Sequence, residues 1–344
     1  VRKTGPESTD TVWSALKPAR TKRLASLVLR VFTALAIVLS AAFAEAADKI
    51  RIGFPELAVQ FLPLPLGEKR GFFKEEGLQA EFIRMTPPVA LAALTAGEID
   101  YYTAIGPGVA ATIRGVAVKA VAGFTTGAPF VLLARPEFKT VSDLKGKAIA
   151  INTYGSPLEV GGRLIVKHFG IDPDKEIKFL ATGLFESRLA SVQQGLTAAA
   201  MGSTPFEFFG AKMGLLVIAR ALDLFNYPAS GLVATTKKIK ERPDEIKRVI
   251  KAGVKANRYI HRNRDGAVSF LMEWLKLDKE TAASSYESVV KAYHEDGSVP
   301  EDGLRLIIEE AKRLGKVERE VPLGEVIDLS VLRDAQRELG IKGK

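Results

Sequence analysis

With 344 residues, 47% of them apolar and 8% aromatic, the chain is long enough for two domains that each bury a core. Its formal net charge of +9 invites a nucleic-acid reading, but the first 46 residues hold four Arg and three Lys against Glu7, Asp10 and Glu45, which accounts for +4 and leaves +5. Those remaining positives run along helical stretches such as Lys237 to Lys255, interleaved with Glu241, Asp244 and Glu245, so a solvated helix face is expected and no nucleic-acid partner.

The N-terminus reads as an export signal. Arg20, Lys22, Arg23 and Arg30 precede an apolar run from Val31 to Ala42, and Ala44-Glu45-Ala46 supplies small residues around a cleavage point near Ala46. The run is short for a membrane span, and no second apolar stretch of spanning length follows. Cysteine is absent, which excludes disulfides, a thiol nucleophile, a Cys-based metal site and a lipid-bearing cysteine at the signal's end. A chain exported without an anchor belongs in a periplasm.

In the mature segment, Lys49 to Phe54 alternates polar and apolar residues and predicts a first strand. A short helix from Pro63 to about Gly71 and a strand from Gln79 to Arg84 follow. Thr86 is placed to cap a helix that opens on Pro87-Pro88 and stops before Gly97. Ile99 to Ile105 reads as a strand, Gly106-Pro107-Gly108 as a loop, Val109 to Arg114 as a helix and Val116 to Phe124 as a strand. After an extended segment from Pro129 to Ala134, the alternation restarts with a strand from Ala148 to Ile151. The loop Asn152-Thr153-Tyr154-Gly155-Ser156 then leads into a helix opened by Pro157. Ser156 suits the N-cap and Pro157 the first helical turn, so this loop is a candidate polar or anion cradle. Strands at Ile177 to Ala181, Thr197 to Met201, Leu215 to Ala219 and Ala229 to Thr235 alternate with helices at Phe185 to Gln194 and Thr204 to Met213; beyond Arg242 the pattern is helical.

This order predicts an α/β chain with mainly parallel sheets covered by helices. The expected organisation is a signal over 1–46, a first domain from 47–133 plus 229–344, and an inserted second domain over 134–228. Two crossings would hinge the domains about a cleft.

Gly106-Pro107-Gly108-Val109-Ala110-Ala111 fits a weak dinucleotide fingerprint, but the following strand runs into VAGFTTGAP with no acidic residue at its end. His168, His261 and His294 are dispersed, so no metal site is expected, and no cofactor or catalytic residue is assigned.

Four segments carry a family resemblance: FLPLPLGEKRGFFKEEGLQAEFI after the first strand, ALAALTAGEIDYYTAI, TVSDLKGKAIAINTYGSP and SRLASVQQGLTAAAMGSTP. In this order they resemble the substrate-binding proteins of nitrate/sulfonate/taurine-type ABC importers, a branch of the type II periplasmic-binding fold. The chain departs from the family pattern at Pro65 to Gly67 and at Thr197-Ala198. The resemblance implies a ligand held by loops from both domains. It points to Glu56, Leu57, Ala58, Ile105, Gly106, Gly108, Thr125 and Thr126 on the first domain. On the second it points to Thr153, Tyr154, Gly155, Ser156, Thr182, Gly183, Ser203 and Thr204. The implied protein is a monomeric periplasmic receptor for a small polar or anionic molecule, such as a sulfonate or carboxylate, serving an inner-membrane ABC permease transiently. Glu56 reads first as a solvated rim carboxylate; if it faces the cleft, it would repel a simple anion and favour a ligand with an ammonium or amide donor. Arg163 and Arg188 read as surface or interdomain residues on helices. The alternatives are an exported enzyme on the same fold or a binder that feeds a sensor, with pyrimidine-synthase-like chemistry disfavoured by the missing cysteine.

Overall fold

The computed structural model of the protein describes residues 1–2 and 47–341, so the basic and apolar stretches of the expected export signal lie outside the described residues. The chain divides at Ala47, and the unit beginning at Asp48 contains ten strands. These are β1 (Asp48–Phe54), β2 (Leu78–Arg84), β3 (Tyr101–Ala104), β4 (Val118–Gly123), β5 (Phe130–Ala134), β6 (Ala148–Ile151), β7 (Lys178–Ala181), β8 (Ala199–Ser203), β9 (Leu216–Arg220) and β10 (Ser230–Thr235). They form two five-stranded sheets, ordered β2-β1-β3-β10-β4 and β7-β6-β8-β5-β9. Each sheet has a parallel core, β1 with β2 and β3 in one and β6 with β7 and β8 in the other. Each also contains one antiparallel strand: β10 between β3 and β4, and β5 between β8 and β9.

The helices flanking the first sheet from the N-terminal side are α1 (Pro63–Lys69), α2 (Phe72–Glu75), α3 (Pro87–Ala96) and α4 (Ile105–Ile113). Those of the second lobe are α5 (Pro157–His168), α6 (Phe185–Gln193) and α7 (Phe206–Lys212). The C-terminal region adds α8 (Thr236–Glu241), α9 (Pro243–Arg262), α10 (Arg264–Leu275), α11 (Lys279–Val289), α12 (Glu301–Gly315), α13 (Leu323–Val326) and α14 (Ser330–Glu338). Among the described residues no helix is long and apolar enough to cross a membrane.

Sequence pattern explains the layering. In β1, alternation buries Ile50 and Ile52 and exposes Lys49 and Arg51. The central strands β5 and β8 are buried along their whole length, as apolar runs without alternation require. The long amphipathic α9 presents Ile246, Val249, Ile250 and Val254 to the same core as Ile50, Tyr101 and Val121 of the first sheet. Two crossings join the lobes, after β4 and after β9, and they pair with each other. Phe124 N–H donates to the Ser230 carbonyl at 2.8 Å, and Tyr227 N–H to the Thr126 carbonyl at 3.1 Å.

The segment after β3 departs from expectation. The helix after β3 begins at Ile105, four residues before Val109, so Gly106-Pro107-Gly108 is helix and not loop. Packing is the reason. A Cβ at Gly106 would lie 2.9 Å from the Tyr227 hydroxyl oxygen, and one at Gly108 would lie 2.8 Å from a Val233 methyl. These glycines let α4 seat against the crossing and β10.

Candidate ligand cleft

A cavity of about 600 Å³ lies at the carboxyl ends of the parallel strands, lined by residues of both lobes. That volume falls within the roughly 300–1,000 Å³ range of small-molecule sites. The first lobe contributes the loop after β1 (Glu56, Leu57, Ala58), Gln60 and Phe61, and the β2–α3 junction at Arg84, Met85 and Thr86. The second lobe contributes Asn152, Thr153 and Ser156 after β6, the segment from Gly183 to Phe185 with Glu186 and Arg188 after β7, and Ser203 and Pro205 after β8. Leu275 and Leu277 close the wall from the C-terminal region.

The second-lobe loop is built by its own helix. Ser156 is the N-cap of α5: its Oγ accepts the Glu159 N–H at 3.2 Å and its hydroxyl donates to Asn152 Oδ1. Gly155 takes φ +72°, a left-handed conformation that suits glycine. Its N–H donates to Glu159 Oε2, and the buried Glu159 also accepts Arg163 Nε at 2.9 Å. The positive end of α5 is thus met by a carboxylate of its own chain. Arg163 continues to Asp174 at 2.8 Å, and Arg313 of α12 on the other lobe reaches the same carboxylate at 3.0 Å.

The cavity's charges are distributed evenly. Glu56 and Arg84 come from the first lobe, Glu186 and Arg188 from the second. Glu56 is half-buried and makes no hydrogen bond or ion pair among the described residues; burial pushes its carboxyl pKa up, against the pull of the Arg188 charge. Arg188 is only 4% exposed. Its Nη1 donates to the Gly183 carbonyl at 2.9 Å, its guanidinium stands 5.3 Å from the centre of the Phe206 ring, and its Nε is buried without a partner. Burial lowers its pKa, opposed by Glu56 and Glu186. The Tyr102 hydroxyl, buried and unpartnered, also feels the Glu56 charge.

Of the residues proposed from sequence, Glu56, Leu57, Ala58, Thr153, Ser156, Gly183 and Ser203 line this cavity together. The others sit elsewhere. Ile105, Gly106 and Gly108 are in the packed first turn of α4. Thr125 is fully buried and its Oγ1 accepts the Ser230 N–H at 3.1 Å, while the Thr126 hydroxyl donates to the Ala292 carbonyl at 3.3 Å; both fasten the crossing. Tyr154 is 63% exposed, with its hydroxyl on the Phe179 carbonyl at 3.2 Å. The Gly155 N–H is taken by Glu159, the Thr182 N–H donates to the Ile151 carbonyl at 2.9 Å, and the Thr204 hydroxyl donates to Glu207 Oε1 at 2.8 Å. Thr86 occupies the N-cap position of α3, yet its hydroxyl makes no capping bond, and the residue is part of the cavity's lining.

For Arg188 the sequence leaves a surface or an interdomain place open, and the structure has it buried at the cavity wall between the lobes. A signal was present: Arg188 is the arginine of the segment SRLASVQQG, at a fixed position of the motif that carried the resemblance. Arg84, Gln60, Phe130 and Phe209 carried no such signal.

Two mixed sheets of matching order, joined by two crossings around a cavity at the strand ends, define the two-lobed periplasmic-binding fold, the class whose nitrate/sulfonate type the sequence resembles. The chain belongs to the family described as NMT1/THI5-like, which matches residues 58–267. It is similar to a protein of Brucella abortus (strain 2308) designated a binding protein, at 26% identity over 240 residues, covering 65% of this chain and 72% of that one. Among solved structures it resembles the periplasmic aliphatic sulphonate binding protein SsuA from Escherichia coli, with a TM-score of 0.66, 20% identity, and coverage of 82% of this chain and 92% of that one. The periplasmic nitrate-binding protein NrtA from Synechocystis PCC 6803 gives a TM-score of 0.69 at 13% identity, covering 87% and 90% of the two chains.

Proposed function

We propose that this protein is a periplasmic solute receptor that closes its two lobes on a small polar organic molecule and hands it to an inner-membrane ABC permease. The observation that carries this reading is the cavity of about 600 Å³ walled by both lobes, which two chain crossings join among the described residues. A ligand held by both walls favours the closed form by its differential affinity for the two states. Glu56, Leu57, Ala58, Thr153, Ser156, Gly183, Ser203 and Arg188 are the proposed contacts. The receptor acts as a monomer, reaches the periplasm after cleavage near Ala46, and meets the permease transiently. The named functions of the sulphonate- and nitrate-binding neighbours support this reading.

The test combines a thermal-shift screen of sulfonates, carboxylates, nitrate and pyrimidines with solution scattering of any hit. A ligand bound only by the native chain raises the melting temperature, and hinge closure reduces the radius of gyration. Chemical conversion of a hit by the protein would replace the receptor reading with an enzymatic one.

A further inference from the structure

The four charged side chains lining the cavity sum to zero, two of each sign and one of each sign per lobe. The inner pair is Glu56 and Arg188. Each affects the other electrostatically, and they form no ion pair with one another. Glu56 is half-buried and unpartnered, and Arg188 is nine-tenths buried with its Nε unsatisfied. Phe61, Phe130, Phe185 and Phe209 supply ring surface in the same cavity.

We infer that the ligand is amphoteric, with a cationic amine set against Glu56, a carboxylate or sulfonate set against Arg188, and an apolar body lying on the phenylalanines. This rests on the receptor reading and narrows it to a chemical class. A simple anion would satisfy Arg188 but would stand against an unpaired carboxylate, and a simple cation would meet the converse problem. A neutral ligand would desolvate both ions on closure and return no ionic partner to either, which is the costly arrangement for buried charges. At the α5 terminus the Glu159 carboxylate already takes the Gly155 N–H and Ser156 Oγ takes the Glu159 N–H, which leaves Arg188 as the buried cation for the anionic group. Since Glu56 and Arg188 belong to different lobes, one molecule carrying both charges ties the lobes together. Either charge alone is recognised by one lobe.

Two matched sets test this: 4-(aminomethyl)benzoate with 4-methylbenzoate and 4-methylbenzylamine, and 3-aminopropanesulfonate with propanesulfonate and propylamine. Calorimetry and thermal shift on the mature chain should show at least one amphoteric member binding at least tenfold tighter than both of its singly charged partners. Glu56→Gln should erase the advantage over the acid, and Arg188→Lys the advantage over the amine. Glu56 is only half-buried, so its variant stays informative if the Arg188 variant fails to fold. An acid that binds as tightly as its amino counterpart, with no response to Glu56→Gln, overturns the inference and leaves the receptor reading standing. Silence from both sets also overturns it, and silence from the wider screen of sulfonates, carboxylates, nitrate and pyrimidines would remove the receptor reading as well.

Discussion

Gln60 and Ser203 meet across the cleft: the Gln60 side-chain amide donates to the Ser203 hydroxyl at 3.2 Å, both residues are buried, and they belong to different lobes. Gln60 Oε1 is buried without a partner, so this amide is only half satisfied. Ser203→Ala would strand the donor too, at about 1–3 kcal/mol of stability by urea denaturation. Pairing Gln60→Met with Ser203→Ala removes both polar groups and should recover most of that loss. A single Ser203→Ala variant as stable as the parent would mean the bond contributes nothing.

The Asn152–Ser156 loop depends on two anchors of unequal strength. Ser156→Ala removes an N-cap acceptor and should cost about 1 kcal/mol. Glu159→Ala strips the carboxylate from a largely buried pair with Arg163, whose side chain is 13% exposed, and frees the Gly155 N–H. Breaking such a pair costs up to about 3–5 kcal/mol when it strands the partner, and Arg163 keeps Asp174, so a loss of about 2–3 kcal/mol is expected. Equilibrium unfolding of the two variants should therefore rank Glu159→Ala well below Ser156→Ala; the reverse order would refute the role given to Glu159.

The raised pKa of Glu56 makes it a source of instability at neutral pH. Above its ordinary value of 4.5 the folded chain holds this proton more tightly than the unfolded chain does. Stability therefore falls as pH rises through that window and stays reduced above the folded-state pKa. Glu56→Gln should melt higher than the parent at pH 7–8, with the gap closing toward pH 4. Melting curves across that range decide it, and a gap independent of pH would show that Glu56 is not desolvated.

Gly161 lies on α5 where a Cβ would fall 2.4 Å from the Phe130 ring. Alanine is the better helix former, yet Gly161→Ala should destabilise by about 1–3 kcal/mol through overpacking. Phe130 also lines the cavity, so any ligand identified should bind this variant more weakly. A gain in melting temperature would show that Phe130 can move aside freely.

Local chemistry was legible in the sequence where one short segment decides the outcome. Ser156 and Pro157 opened α5 as their residue types require, and KIRIGF formed β1 with its alternation intact. The start of α4 was not legible, because two glycines around a proline read as a loop until Tyr227 and Val233 are known to press on them. The burial of Arg188 was illegible for a related reason. Its burial is set by the Gly183 carbonyl and the Phe206 ring, neither of which is visible in the helical pattern around it. The cavity's Leu275 and Leu277 arrive from the far C-terminal region, where the sequence offered helices and no hint of the cleft.

The chain of contacts from Gly155 through Glu159, Arg163 and Asp174 to Arg313 ties the ligand loop of the second lobe to a helix of the first. Its Glu159–Arg163 link is largely buried, but the last one, between Asp174 and Arg313, is partly open to solvent, at 51% and 31% side-chain exposure. Dissolved ions screen such a link over a Debye length of about 8 Å at physiological strength, while the neutral Gln60–Ser203 bond is indifferent to them. A second exposed ion pair, Lys212 with Asp278 at 4.0 Å, also bridges the lobes, so the fastenings include salt-sensitive pairs beside a salt-insensitive bond. Rising ionic strength weakens the ion pairs between the lobes and leaves the amide–hydroxyl bond across the cleft to hold alone.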